Sequence, residues 1–206
     1  MNIEILISFL IASIALAFSP GPDNIYVLTQ SIVNGKKAGL ATVVGLVSGC
    51  IVHTTLLAFG VSAIIKESES LFFTIKLFGA VYLVYLAYKV FKSDASIALS
   101  EENIKKKSSN QLFKQGFIMN VLNPKVSIFF LAFFPGFLFS NSLNTVVQFY
   151  VLGLLFMLVS FLIFATIALL AGVISNYIKK HKNVGQYLKW TQIVVFVGIA
   201  IFILAT

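Results

Sequence analysis

The chain has no arginine, one cysteine, two histidines and only seven acidic residues among 206. A single cysteine excludes an internal disulfide, a dithiol redox pair and a cysteine metal cluster, and Cys50 stands in an apolar run. Carboxylates and imidazoles are too sparse for the paired aspartates or nucleophile-and-base set of an intramembrane enzyme, and they make a poor soft-metal site. No cofactor is expected. The missing arginine carries no function, since all fifteen basic residues are lysine and the bias reads as genome composition. Charge is scarce altogether, at 11% against 59% hydrophobic residues and a mean hydropathy of +0.97. A soluble domain of this length could not bury so much apolar surface. The expected class is an all-α polytopic membrane protein.

A helix needs about 20 apolar residues to cross a ~30 Å hydrocarbon core. Six segments qualify: Ile3 to Val33, Ala38 to Ile65, Leu71 to Phe91, Phe113 to Phe139, Leu143 to Ile174 and Tyr187 to Leu204. The first is too long for a signal peptide and lacks a basic leader and a small-residue cleavage site, so it is expected to be retained. Lysines gather at Lys36 and Lys37, from Lys92 through Lys105, Lys106, Lys107 and Lys114, and at Lys179, Lys180, Lys182 and Lys189. Those loops are expected in the cytoplasm, which puts both termini outside. The net charge of +8 then lies mainly on the cytoplasmic face, where anionic lipid headgroups are its natural partner. Nucleic acid is not an expected partner.

The polar stretch from Ser93 to Asn110, with Glu101-Glu102 ahead of Lys105-Lys106-Lys107, reads as a solvated linker. The chain is thus expected to form one membrane domain of two parts, 1–92 and 113–206, joined by a cytoplasmic linker over 93–112. Three spans in each part force the second to insert upside down relative to the first. The result is six transmembrane helices as a 3+3 inverted repeat.

Proline is also scarce, at four residues, and every one interrupts an apolar run. Pro20, Gly21 and Pro22 break the first span and Pro124 breaks the fourth, so proline-broken helices 1 and 4 open the two repeats; Pro135 with Gly136 bends or ends the fourth. Each ring removes an amide and displaces the carbonyl four residues back, which frees Leu16, Phe18 and Asn120. Hydrocarbon cannot replace those bonds, and irregular backbone at membrane depth persists only where protein packs it or a polar cavity meets it. Counting ~1.5 Å per helical residue from the lysine boundaries puts Asp23 about 20 Å deep and Lys125 about 16 Å deep. A charge near the midplane costs at least ~2.5 to 3.5 kcal/mol on insertion scales and needs a partner or a wet cavity.

Asp23, Asn24, Asn120, Asn123 and Lys125 are therefore the candidate substrate-binding residues. A carboxylate for an ammonium, and an ammonium with a helix N-terminus for a carboxylate, suit a free amino acid. The plainer readings stand beside this one: Asp23 and Asn123 as helix caps, Asn120 and Asn123 as helix-to-helix donors, and Asp23 with Lys125 as a static ion pair. Asp23 and His53 are the candidates for coupling to protons, with a structural, hydrogen-bonded role as the alternative for His53. Lys76 reads as snorkelling toward the interface. Gly45-x-x-x-Gly49 has the small-residue spacing that lets span two pack against a neighbouring helix or a second copy of the chain, so a homo-oligomer is a candidate assembly. The phenylalanine-rich stretch from Phe129 to Phe139 is read as facing lipid or lining a hydrophobic gate.

Together, Pro20-Gly21-Pro22-Asp23, Gly35-Lys36-Lys37-Ala38-Gly39, Gly45 with Gly49, His53, Lys76-Leu77-Phe78-Gly79, Gly116-Phe117, Asn120, Asn123-Pro124-Lys125 and Phe133-Phe134-Pro135 resemble the lysine exporter family (LysE) along nearly the whole chain. The resemblance is stronger to its homoserine/threonine resistance branch (RhtB). It implies a six-helix, non-enzymatic secondary transporter of the bacterial inner membrane that exports amino acids or their derivatives, driven by protons. It also implies that Asp23, Asn123, Pro124 and Lys125 belong to the functional core. The absence of a dense acidic cluster favours a neutral substrate, with homoserine, threonine, leucine and cysteine-related compounds all open. The alternatives are a divalent-cation exporter of the same superfamily and a non-transporting assembly protein. The lysine pattern makes a direct prediction: alkaline phosphatase fused in the loop at 140–142 or after the last residue will be active, and fused after Lys37 or Lys180 it will be inactive. The reverse pattern overturns the orientation.

Overall fold

The computed structural model describes residues 2–19, 21–95, 107–181 and 183–205, with 65–67 by backbone alone. All regular elements among them are helical. Helix α1 (Ile3–Phe18) starts at Asn2, whose side-chain oxygen accepts from the amides of Glu4 and Ile5. Pro22 opens α2 (Pro22–Val33) and has no amide to satisfy there. Gly35, at φ 86°, turns the chain into α3 (Lys36–Leu56). A π-helical turn over Leu57–Val61 carries α3 into α4 (Ser62–Glu67). Ser68 caps α5 (Glu69–Lys92), and a reciprocal Ser108–Gln111 capping box starts α6 (Ser109–Val121). Asn123 and Pro124 start α7 (Pro124–Phe133), which tightens into a 3₁₀ turn over Phe134–Phe137. Asn144 caps α8 (Thr145–Leu169), and α9 (Ala171–Lys180) and α10 (Val184–Ala205) complete the chain. These caps satisfy first-turn amides that have no partner within the helix.

Four spans are individually long and apolar enough to cross a membrane: Lys36–Ile64, Glu69–Lys92, Thr145–Leu169 and Val184–Ala205. The pairs α1 with α2 and α6 with α7 qualify jointly, bent by 58° and 51° at the two expected breaks. The all-helical, multi-pass architecture is therefore that of a polytopic membrane protein. Pro20, residues 96–106 of the linker with Lys105 and Lys106, and Lys182 lie outside the described residues.

One expected boundary is corrected. Span five does not run on to Ile174, because Leu170 leaves helical geometry (φ −98°, ψ 14°) and α9 starts afresh at Ala171. The 25 residues of α8 already reach about 37 Å, more than the hydrocarbon core requires. Beyond them Ser175, Asn176, Lys179 and Lys180 give α9 a polar side better suited to the membrane surface.

Helix α3 is the central one, with 56% of its most apolar stretch buried against 22% for α5 and for α10. Its main seam is with α6, and glycine makes it. A Cβ on Gly45 would run into the Phe113 carbonyl, and one on Gly116 would stand 2.5 Å from the Thr42 carbonyl oxygen. The Gly45–Gly49 face thus packs a helix of the same chain. A second seam joins α5 to α10, whose Phe78, Val81, Val84, Val194 and Ile201 remain exposed on the outside for lipid.

The phenylalanine-rich stretch does not face lipid. Phe129, Phe130, Phe133, Phe134 and Phe137 are at most 2% exposed and close on Phe9 and Phe156. Phe130 stacks on Phe134 at 4.1 Å and Phe129 on Phe133 at 4.5 Å, while Phe9 meets Phe134 edge-on at 5.0 Å. Such pairs add to the burial of large apolar surfaces, and here they weld α1, α7 and α8 into one plug.

Replacing Gly45 by Ala is expected to lower stability by about 1–3 kcal/mol through overpacking. The same change at Gly172 or Gly198, where an added Cβ meets nothing within 4 Å, should leave stability equal or raised. Thermal unfolding of the detergent-solubilised variants checks the contrast.

Candidate functional site

The two proline breaks meet. Asp23 and Asn24 lie in the first turn of α2, while Asn123 caps α7 and Lys125 follows in its first turn. The Asn123 side chain faces both ways: its Nδ2 donates to Asp23 Oδ2 at 3.1 Å, and its Oδ1 accepts from the Lys125 amide at 3.0 Å. Capping and holding the carboxylate are thus one residue's work. Asn24 Nδ2 donates to the Ala17 carbonyl at 3.0 Å and ties the start of α2 to the end of α1. Two helix N-termini, each the positive end of a backbone dipole, converge here on one carboxylate.

Lys125 faces that carboxylate across the chamber without touching it, and the two charges attract each other there. Among the described residues no ion pair within 4.0 Å joins them. Its Nζ lies over the Phe196 ring at 4.8 Å from the centroid, and a Cβ built on Gly21 would stand 3.5 Å from it. Gly21, extended at φ −154°, is thus the backbone under which the ammonium tucks, and the aromatic face stabilises the cation without consuming its hydrogen-bond donors.

The carbonyl of Asn120, freed by Pro124, has two donors. The Asn123 amide reaches it at 3.0 Å and His53 Nε2 at 3.1 Å. A carbonyl only accepts, so the imidazole carries its hydrogen on Nε2. His53 is 5% exposed and packs its ring on Phe130 at 5.5 Å. The Asn120 side chain packs on Gly49 and accepts from Cys50 Sγ at 3.8 Å.

Asp23, Asn24, Asn120 and Lys125 line one chamber of about 40 Å³, together with Cys50, Phe156, Ser160 and Phe164. Ligand pockets usually span several hundred Å³, so the chamber is closed down to the scale of one or two waters around its polar groups. Asn24 also lines a cleft of about 1610 Å³ that runs from Gly21 and Pro22 past Tyr26 to Asp94, Lys107 and Lys189. The α8 and Cys50 contributions were missed from sequence because α8 is apolar on every side and carries no local signal of which face points inward.

The chain belongs to the LysE type translocator family, which matches residues 14–206. It is 26% identical to the leucine efflux protein of Klebsiella pneumoniae over 194 residues, covering 94% of this chain and 92% of that protein. It is 30% identical to the homoserine/homoserine lactone efflux protein of Salmonella typhimurium over 183 residues, covering 89% and 88%. No solved structure matches the chain.

The His53 geometry separates its two readings. If the ring serves the broken backbone, His53→Gln, which keeps a donor, will retain proton-dependent transport. His53→Phe, which leaves the Asn120 carbonyl with the Asn123 amide alone, should destabilise the protein by about 0.5–1.5 kcal/mol. Loss of proton dependence in a stable Gln variant would instead make the imidazole a relay.

Proposed function

We propose that this protein exports a neutral amino acid or a close derivative from the cytoplasm by proton-coupled alternating access. The observation that carries the proposal is the convergence of two broken helices on Asp23, Asn123 and Lys125, whose opposite charges face each other without direct contact. Asp23 takes the substrate ammonium, and Lys125 with the N-terminus of α7 takes the carboxylate. Asn123 holds Asp23 in place, and Asn24 and Asn120 close the chamber around the ligand. A second carboxylate for a dibasic side chain is not among the lining residues, which favours neutral substrates. The printed activities of the two relatives, leucine efflux and homoserine or homoserine lactone efflux, agree with that class.

Proton coupling follows from competition. Asp23 binds either the ammonium or a proton, so a proton arriving from outside displaces the substrate there, and its release inside readies the carboxylate for the next one. The large cleft opens toward Lys107 and Lys189, at the end read as cytoplasmic, while the phenylalanine plug closes the other. This conformation is therefore inward-facing. Each half opens with a bent helix, which supports the inverted repeat. The moving parts do not follow the two halves of the sequence, however, because the tight α3–α6 seam joins one half to the other. The α5–α10 pair, attached chiefly through α7, is the body that swings to close the cleft.

Divalent-metal export is the weaker reading, for no group of three or more His, Cys, Asp or Glu side chains gathers among the described residues. The test is counterflow of labelled amino acids in proteoliposomes with and without a pH gradient. Wild-type protein should exchange a few neutral amino acids. Asp23→Asn should lose gradient-driven transport by at least 100-fold while inserting normally, and Lys125→Gln should weaken substrate affinity roughly 10- to 100-fold, the scale of a charge-assisted hydrogen bond. Unchanged coupled transport by the Asn variant would refute the assignment.

A further inference from the structure

Many hydroxyls on the helices of this protein return to their own backbone. Ser31, Thr42 and Thr54 donate to the carbonyl four residues back at 2.6, 3.1 and 2.8 Å. On α8 itself Thr166 does the same to Leu162 at 2.8 Å. Ser160, one and a half turns earlier on that helix, does not. It is 2% exposed, its hydroxyl has no partner among the described residues, and it lines the same small chamber as Asp23 and Lys125. Ser13, Ser19 and Ser62 also lack partners, but none of them lines the chamber, and Tyr26 lines the cleft instead.

The neighbours of Ser160 define what its hydroxyl can meet. Phe156 and Phe164, four residues before and after it, line the chamber as well, so α8 contributes an aromatic wall with one hydroxyl at its centre. The chamber's charged groups come from α2 and α7. Of the other polar side chains, Asn24 already donates through Nδ2 to the Ala17 carbonyl and Asn120 already accepts through Oδ1 from the Cys50 thiol, which leaves Ser160 as the lining side chain with no hydrogen bond to give up. An amino acid held at its charged end by Asp23 and Lys125 meets Leu16 and Ala17 of α1, Leu46, Val47 and Cys50 of α3 and the α8 stripe, and among these lining residues Ser160 alone carries a hydroxyl. A buried hydroxyl with no partner is costly, and a ligand oxygen placed there relieves that cost.

We propose that Ser160 is a specificity-determining residue that hydrogen-bonds an oxygen on the side chain of the transported amino acid. Amino acids with a short hydroxylated side chain are then favoured over apolar ones of equal size. The asymmetry is chemical: the apolar isostere leaves the serine hydroxyl unpaired, whereas the hydroxylated ligand satisfies both groups. This assignment rests on the amino-acid site described under Proposed function.

The test compares homoserine with norvaline, in which a methyl group replaces the hydroxyl, as counterflow substrates of the full-length protein in proteoliposomes. Wild-type protein should prefer homoserine. In Ser160→Ala the homoserine-to-norvaline ratio of kcat/KM should fall roughly fivefold or more, through homoserine alone, the scale of one lost hydrogen bond. Ser160→Thr, which keeps the hydroxyl, should hold the ratio within about twofold of wild type. An unchanged ratio in a transporting Ala variant, or an equal fall in the Thr variant, overturns the role of Ser160 and leaves the Asp23–Lys125 site intact. Failure of folded, inserted wild-type protein to exchange homoserine overturns the role of Ser160, and failure with every neutral amino acid of the counterflow panel overturns the amino-acid site as well.

Discussion

A backbone carbonyl released by proline inside hydrocarbon has no solvent to turn to, and leaving it unpaired costs several kcal/mol. That constraint organises this protein. The Asn120 carbonyl is taken by His53 from α3, and the Ala17 carbonyl by Asn24 from across the first break. Asn123 caps α7 with one side-chain atom and reaches Asp23 with another. Asn24 and Asn120 line the polar chamber themselves, and Asn123 holds the Asp23 that lines it. Repair of the backbone and construction of the chamber thus share one network near the prolines, into which His53 reaches from α3.

The packing around that network is unequal. Glycine brings α3 and α6 into backbone contact, so the helices bearing His53 and Asn120 are held in a fixed relation. Phenylalanines from α1, α7 and α8 fill the space on one side of the chamber. On the other side α2 stands apart from the α5–α10 pair, and the cleft between them reaches the chamber at Asn24. Phe196, which lies under the Lys125 ammonium, belongs to α10, and Phe202 of the same helix stacks on Phe137, so α10 touches both the charged site and the phenylalanine plug.

Membership of the LysE type translocators, together with relatives bearing the names of leucine and homoserine efflux proteins, sets a family whose members share a scaffold and differ in cargo. In the proposed site the α8 face of the chamber, with Phe156 and Phe164 on either side of the buried Ser160, is the place where size and polarity of a side chain would be read together.

Much of this was legible in the order of the residues. Long apolar runs specify membrane spans because a helix must satisfy its backbone internally in lipid. Proline in those runs specifies breaks because the ring removes a donor wherever it stands. A charge at mid-depth specifies a polar cavity because hydrocarbon cannot hold it alone. Each of these is a local rule, and together they located Asp23, Asn123 and Lys125. Other features depended on which surfaces the fold brings together. The end of span five was misplaced because Leu170 and α9 are as apolar at first as the helix before them, and only packing against α2 and α8 decides where the axis turns. The Phe129–Phe137 stretch looks the same from sequence whether it faces lipid or core, since both are apolar; its burial comes from Phe9 and Phe156, far away in the chain. Lys125 lying over Phe196, His53 serving the Asn120 carbonyl, and Ser160 facing the chamber all depend on which distant helices the fold brings together. The sequence alone determined that this protein crosses the membrane, where its helices break and which charges lie at depth, because those follow from the chain's own chemistry against lipid; the tertiary structure decided partners and facing, because in an apolar helix every side presents the same chemistry until a neighbour is packed against it.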